Sequence, residues 1–593
     1  MPINVYQKLL TQHTLQVQQL QSRLHLLSTV RLLFFIGVVI CVYYFINTDQ
    51  FFLLGLSLLL LGAFFYLIRL YDRLKLQFEL TKAIVFINQT EINLLNGLPA
   101  EYENGMEYID SHHPYSYDLD IFGEASLFPL INRTTNSFGK TDLAQHLLRP
   151  DTTLIEDRQQ AIREMSRAIS FRQQLQAAGM LHSSEEKKID SLATWLNIPP
   201  VFKNPLVYYL LLLFPAATLV AGLLYFFTGN TLYQSITGLL MVVNLAITFS
   251  FARKMMINIS VSTDINKTLK QFSGQLILLE KQSFQSLLLI RLQSRLKNNM
   301  APASKSINKL VSYFNYLDYF FNIFVSPLLN GLFLFHIHIL YLLDKWKATH
   351  HSQIMDWLQA IGEAESLSSF ANFHFNNPDF SFPVICATED LSADSMGHPL
   401  IRKEKRIYND ISFLENKFVI LTGSNMSGKS TFLRTLGINL VLARAGSAVC
   451  ATRFHFYEYD VYVSMRITDS LQDSESFFYA ELKRLQTIIH HLNTGNKIFI
   501  ILDEILRGTN SNDKHRGTVG LIHKLVFHKA CGIIATHDLS VAELNSEYPG
   551  YISNKCFESE IINNELLFDY KIKEGVCTKL SASFLMKKLG IIE

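Results

Sequence analysis

Eight residues, Gly423-Ser424-Asn425-Met426-Ser427-Gly428-Lys429-Ser430, fit G-x-x-x-x-G-K-S at every fixed position. An apolar run, Phe418-Val419-Ile420-Leu421, precedes them, and a helix-forming run from Thr431 to Leu442 follows. Strand, glycine turn and helix in that order commit this part of the chain to an α/β layer. A phosphate requires the same order. Glycines let backbone N–H groups turn inward, and the helix N-terminus adds partial positive charge. Lys429 is positioned to reach the β- and γ-phosphates of a nucleotide, and Ser430 to ligate Mg²⁺. The nucleotide-contacting set read here is Gly423, Ser424, Asn425, Met426, Ser427, Gly428, Lys429, Ser430 and Thr431.

Two further strand ends carry chemistry. Ile498-Phe499-Ile500-Ile501-Leu502 is a continuous apolar run ending in Asp503-Glu504. A buried parallel strand delivers such acids to the carboxyl edge of a sheet, where nucleotides bind. Asp503 is the expected Mg²⁺ ligand beside Ser430, and Glu504 the group that polarises the attacking water. Gly532-Ile533-Ile534-Ala535-Thr536 ends in His537, positioned to sense the γ-phosphate or the water. Lys429, Glu504 and His537 are therefore the expected catalytic groups, with ATP and Mg²⁺ as cofactors.

Composition constrains the rest. Lys and Arg number 53 against 51 Asp and Glu, a net charge of +2, so no global nucleic-acid footprint exists and any such surface must be local. Six cysteines without a C-x-x-C pair fit free thiols in a reducing compartment. Hydrophobic residues reach 49% and concentrate in four runs: Leu32–Ile46, Phe51–Ile68, Leu206–Phe227 and Leu232–Ala252. Each is near the length that crosses a bilayer, and they pair as two hairpins. Arg31, Arg69, Arg73 and Lys75 flank the first, and Lys203, Arg253 and Lys254 the second, while neither connecting loop holds Lys or Arg. The loops are expected to face away from the cytosol, with both termini cytoplasmic. The first run starts too late for a signal peptide. Phe321–Leu343 is also apolar but carries Pro327, Asn330, His336 and His338, and reads as a buried or membrane-adjacent helix. Residues 5–30 read as an amphipathic helix leading into the membrane or as a partner-binding coiled coil.

The motifs together resemble the MutS DNA mismatch-repair ATPases. Thr422 to Arg434 is similar to their T-G-P-N-M-x-G-K-S-T-x-x-R loop, Asp503 to Thr509 to D-E-x-x-R-G-T, and Ala535-Thr536-His537 to A-T-H. Ser476 to Glu481 resembles their S-T-F-x-x-E signature, with Phe477 at the Thr position. The resemblance implies that Ser476 and Glu481 complete the nucleotide site of the opposite subunit. It also implies that Ile407 and Asn409 line an adenine pocket. Arg406 stands where the family carries an aromatic, and a guanidinium plane can take over the stacking. Upstream, Ser126 to Thr134, Phe138-Gly139, Leu147 to Pro150 and Ile155 to Arg158 resemble the start of the family's lever region.

The resemblance implies an α/β P-loop ATPase domain, ABC-like and of MutS type, joined to an all-α lever and core domain, with two transmembrane hairpins added. The expected division is an N-terminal helix (1–30), first hairpin (31–75), connecting region (76–116), core and lever helices (117–203), second hairpin (204–253), long lever helices (254–376) and ATPase domain (377–593). No counterpart of the family's mismatch-reading domain is read before residue 117. Phe456-Tyr457-Glu458 spells its F-x-E wedge but lies within the ATPase domain. The second hairpin occupies the place of the DNA clamp, and a last helix is expected over Ser583–Leu589. The function implied is a membrane-tethered, dimeric, DNA-binding ATPase related to mismatch repair or damage sensing, located at a bacterial inner membrane. The alternative is a membrane-anchored ATP-driven scaffold or remodelling ATPase that does not bind DNA. Two basic clusters, 402–406 and Arg291, Arg295 and Lys297, are the local candidates for phosphate contact or else solvated faces.

Overall fold

The computed structural model describes residues 1–181, 186–297, 301–466, 477–562, 565–577 and 591. The expected helix at Ser583–Leu589 lies outside them. Residues 2–48 form one helix, Pro2–Thr48, which runs unbroken from the Gln-rich stretch into the first apolar run. Asp49 adopts a left-handed conformation (φ 50°), and the chain returns through a second long helix, Phe51–Leu95. The N-terminal helix thus pairs within its own chain, where a coiled coil with a partner was one expectation.

Polar contacts root this hairpin in a helical body. Tyr6 Oη donates to Asn372 Oδ1 (3.1 Å) and Asn376 Oδ1 (2.8 Å), and its ring meets Phe375 edge-on. Glu91 and Arg133, both buried, form a bidentate pair. Asn376 Nδ2 also donates to Glu91, at 2.7 Å. The opposite end, rich in Leu, Phe, Ile and Val, is bare. Among the described residues four helices are long and apolar enough to cross a bilayer: Pro2–Thr48, Phe51–Leu95, Pro205–Thr228 and Thr231–Ser250. Only 6–17% of their most apolar stretches is buried. The second hairpin turns where sequence chemistry allows. Gly229 takes φ 65° at the end of one helix, and the Asn230 side chain accepts from Leu232 N to cap the next.

The body packs Ser137–Leu148, Ile155–Arg167, Ile169–Met180, Ala252–Lys281 and Ala303–Leu317 around one 42-residue helix, Phe335–Asn376. Long helices were expected at Thr263–Leu296, Ser304–Phe324 and Leu329–Ala371; each is interrupted. Gln282 leaves helical geometry in the first, the second ends at Leu317, and Leu334 (φ 49°) bends the third by 76°. Glu365 on the central helix accepts from Thr135 N (3.0 Å), Asn136 Nδ2 (2.8 Å) and Gln275 Nε2 (2.6 Å), tying neighbouring helices to it.

Among the described residues ten strands follow: β1 (Val384–Ile385), β2 (Leu391–Met396), β3 (Asn409–Ser412), β4 (Phe418–Gly423), β5 (Arg453–Phe456), β6 (Asp460–Ser464), β7 (Ile498–Asp503), β8 (Cys531–Thr536), β9 (Ile552–Ile562) and β10 (Glu565–Glu574). They form a four-stranded sheet, β1-β5-β2-β3, and a six-stranded sheet, β10-β9-β4-β8-β7-β6. Strands β9, β4, β8, β7 and β6 are parallel, and β4, β7 and β8 are buried along their whole length. This is the mixed α/β architecture that the apolar strand runs predict. The three Phe-Tyr-Glu residues at 456–458 begin inside it, with Phe456 buried at the end of β5.

Removing Glu91 leaves Arg133 buried without its counter-charge, which costs about 3–5 kcal/mol. Glu91→Ala should therefore melt the helical body earlier in thermal unfolding followed by circular dichroism, while Glu415→Ala, at an exposed site, should not.

Candidate functional site

Register assembles the site. β4 and β8 pair with Thr422 opposite Thr536, and β7 and β8 with Asp503 opposite Ala535. The carboxyl ends of three buried strands therefore end level, and Gly423, Asp503, Glu504 and His537 emerge along one edge. The loop after β4 turns through three positive φ values, at Gly423 (155°), Met426 (66°) and Gly428 (103°). A Cβ on Gly423 would lie 2.9 Å from both the Phe557 carbonyl and Ser427 Oγ, so this turn admits only glycine. The helix Lys429–Arg444 starts directly behind it, aiming its N-terminus at the loop.

Lys429 Nζ donates to the carbonyls of Gly423 (2.9 Å) and Ser424 (3.0 Å). Burial pushes its pKa down, against the pull of Glu504 and Asp503. Ser430 Oγ donates to Asp503 Oδ2 at 2.6 Å, while Asp503 Oδ1 is buried with no hydrogen-bond partner. A hydroxyl and a carboxylate this close, with an acceptor oxygen left over, fit Mg²⁺, which takes few protein oxygens and completes its shell with phosphate and water.

Glu504 sits in a left-handed conformation (φ 48°), its N–H bonded to the Ala535 carbonyl at 3.0 Å. Its Oε1 lies 2.6 Å from His537 Nε2. That contact requires the proton on Nε2, so the approach of Lys429 Nζ to the same nitrogen (3.3 Å) is not a hydrogen bond. The bond from His537 pushes the Glu504 carboxyl down to about 2, so it is ionised at neutral pH. Arg507 adds charge from 3.6 Å. An ionised carboxylate fixed by a histidine, beside a lysine and a Ser–Asp pair, can orient a water against a terminal phosphate and accept its proton.

A cavity of about 500 Å³ opens over the loop. Asn425 to Thr431, Glu504, Ile407 and Asn409 line it, as the sequence predicts, and so do Met396, His398, Phe557 and Tyr570, which no motif marks. Tyr570 comes from β10 and lies against Gly428, where an added Cβ would meet its ring at 2.9 Å. One expectation changes. Arg406 is not a stacking plane in the cavity. It is buried, lies over the Phe380 ring (5.2 Å) and donates to the Ile401 carbonyl at 2.8 and 3.0 Å. Asn409 reaches the cavity wall, but its amide is spent on β10, donating to the Tyr570 carbonyl (3.0 Å) and accepting from Ile572 N (2.9 Å). Within its own chain the buried Glu481 carboxylate accepts from Leu506 N at 2.8 Å and so holds the loop that follows Glu504. Ser476 lies outside the described residues.

The MutS domain V family model matches residues 419–587, the stretch that builds this edge. Over that stretch the chain is similar to the MutS family. The human "MutS protein homolog 4" is 29% identical over 252 residues, 41% of this chain and 25% of that protein. "DNA mismatch repair protein MutS" of Thermotoga maritima is 27% identical over 251 residues, 41% of this chain and 30% of that protein. The protein of the same name from Ehrlichia chaffeensis is 30% identical over 237 residues, covering 39% and 29% respectively. The chain thus spans under a third of the length of the curated relatives it matches. Within this MutS-like stretch, Glu504, His537 and the 423–431 loop stand together, whereas Tyr570 could be found only by folding the C-terminal hairpin back over the loop.

Lys429→Ala should abolish ATP binding in isothermal titration. Tyr570→Ala should weaken ATP by about 1–3 kcal/mol, the worth of one base–aromatic stack, while leaving inorganic tripolyphosphate binding unchanged.

Proposed function

We propose that this chain is a Mg²⁺-dependent ATPase of the MutS kind, related to DNA mismatch repair, that works as a dimer anchored in a membrane. The ATPase reading rests on one observation: Ser430, Asp503, Glu504, His537 and Lys429 converge at a single sheet edge, with Ser430 bonded to Asp503, Glu504 to His537, and Lys429 Nζ 3.3 Å from His537 Nε2. Bound Mg²⁺ would be held by Ser430 and Asp503 and would offset charge on the β- and γ-phosphates. Lys429 exchanges its loop carbonyls for phosphate oxygens. Glu504, kept ionised and oriented by His537, takes the proton of the attacking water. Completion of the site by Ser476 of a second subunit follows from the family signature. In support, Phe478, just past that segment, packs against Gly508 of the loop following Glu504.

The membrane reading is supported by the four bare apolar helices and by matching lengths. From Asn372, where Tyr6 docks, about 46 Å of helix leads to Tyr341 at the base of the second hairpin. From Tyr6, about 38 Å of helix leads to Arg31 at the base of the first apolar run. Both hairpins can thus enter one bilayer from a shared anchor, with the ATPase domain and both termini on the cytoplasmic side of a bacterial inner membrane.

DNA is the ligand that the family resemblance supplies. A second reading, an ATP-driven scaffold or remodelling ATPase without DNA, is favoured by a specific observation. The basic side chains expected to meet phosphate are largely engaged within the protein. Arg295 binds Asp356 (2.6 Å) and Glu363 (2.7 Å), Arg291 lies 3.6 Å from Asp157, Lys297 donates to Gln293 (3.2 Å), and Lys403 lies 3.4 Å from Asp379.

Glu504→Gln should bind ATP, lose at least 100-fold in hydrolysis and accumulate as dimer in size-exclusion chromatography with light scattering; monomers at saturating ATP contradict the dimeric site. DNA should raise turnover of the detergent-purified protein and bind with affinity that falls as salt rises. If duplex, branched and single-stranded DNA all leave binding and turnover unchanged at moderate salt, the second reading stands.

A further inference from the structure

We infer that residues 319–343 form a re-entrant element that dips into the bilayer beside the second hairpin and returns to the side it left. This rests on the membrane reading of that hairpin. No Asp, Glu, Lys or Arg lies between Asp318 and Asp344. The segment runs through a short turn into the helix Val325–Phe333, breaks at Leu334, bends by 76° and continues as Phe335–Asn376.

Three observations carry the inference. The first is the apolar surface. Ile323 is 82% exposed and Phe324 89%, and Phe321, Leu328 and Phe333 are exposed beside them. This patch continues the bare surface of the second hairpin, because Val325–Phe333 packs on both of its helices. The contact is deep within the hairpin. Asn244, buried, donates from Nδ2 to the Gly331 carbonyl at 2.7 Å and to Thr218 Oγ1 at 3.0 Å, and Met241 lies where a Gly331 side chain would go. Asn244 stands about 10 Å along its helix from Phe251, at the hairpin base.

The second is the chemistry of the break. Inside hydrocarbon, backbone groups freed by a helix break have no water to bond. Several of the groups at this break bond internally: Asn330 Oδ1 accepts from His336 N (3.1 Å), Leu334 N donates to the Asn330 carbonyl (3.0 Å), and the Asn330 amide contacts His336 Nδ1, while His336 Nε2 is buried with no hydrogen-bond partner among the described residues. Asn330 and His336 are both buried, so the polar residues that argue against a simple span are the ones that close the turn.

The third decides between crossing and returning. A broken span would leave its two flanks on opposite faces of the membrane. The flanks are bound to each other. Trp346 Nε1, after the segment, donates to the Ser306 carbonyl, before it, at 2.9 Å. Trp195 packs on both Phe314 and Trp346, and Asp318 meets Ser262 at 3.3 Å. Entry and exit therefore share one side. The exit limb of the loop is the start of the helix that ends at Asn376, at the threshold of the sheets, so that helix links the proposed turn to the α/β part of the chain.

The full-length protein in vesicles of dibrominated phosphatidylcholine tests this, read as loss of tryptophan fluorescence relative to the parent protein. Phe324→Trp should be quenched as strongly as Leu223→Trp in the hairpin, and Leu414→Trp in the ATPase domain should not be quenched. Ile323→Trp repeats the test at a second exposed position. If Leu223→Trp is quenched and both loop variants are not, the re-entrant element is wrong and the hairpin reading survives. If none is quenched, both fail. Labelling of vesicles by an impermeant maleimide, scored against the parent, separates re-entry from crossing: Asn308→Cys and Thr349→Cys should react from the same side and Asn230→Cys from the other. Opposite sides for Asn308→Cys and Thr349→Cys would overturn the inference.

Discussion

Parallel hydrogen-bonded register between three buried strands is the constraint from which the site follows. β4, β8 and β7 are linked residue by residue, so the chain cannot shift one of them without turning buried side chains toward the wrong layer. Because their carboxyl ends are level, a glycine loop, an acidic pair and a histidine from segments far apart in sequence come into contact. The Ser430–Asp503 and Glu504–His537 contacts are consequences of that alignment. Once they form, each group acts on another: the histidine keeps the glutamate ionised, and the acids oppose the burial that pushes the lysine's pKa down.

The helical part answers to a different constraint. Its interior is packed, and Glu91, Arg133, Arg172, Asn372 and Asn376 are linked there by hydrogen bonds. Its far ends are apolar and uncovered. Water penalises such surfaces at roughly 25 cal/mol per Å², and this cost is what the proposed bilayer would remove. The Phe335–Asn376 helix joins the two regimes, with its first turns among apolar side chains and its last turn beside the sheets.

Local patterns carried much of this in the open. Loop, Asp-Glu pair and histidine each sit at the end of an apolar run, and a run of that kind has few folded solutions. What local pattern could not carry was direction. Arg406 occupies a position read as a stacking plane, but Phe380 and the Ile401 carbonyl offer it a buried berth, and the guanidinium turns there. Glu481 sits in a segment read as facing another subunit, yet its carboxylate caps Leu506 N in its own chain. Tyr570 belongs to no motif and reaches the loop only because β10 pairs with β9 beside β4. Helix ends were similarly hidden. A break at Leu334 depends on Asn330 accepting a bond from the His336 N–H six residues on, and a bond of that kind leaves no periodic trace.

The order of apolar runs, glycines and acids by itself determined that a nucleotide-type loop, its acidic partner strand and two apolar hairpins exist, because these depend on residue type and spacing along the chain. Which side chains share the cavity, which cations are already neutralised, and on which side of the second hairpin the 319–343 segment returns were decided only by tertiary structure. The physical reason is that a buried group takes the nearest partner in space that satisfies its charge or hydrogen bond, and that partner is set by packing between segments that sequence order keeps far apart.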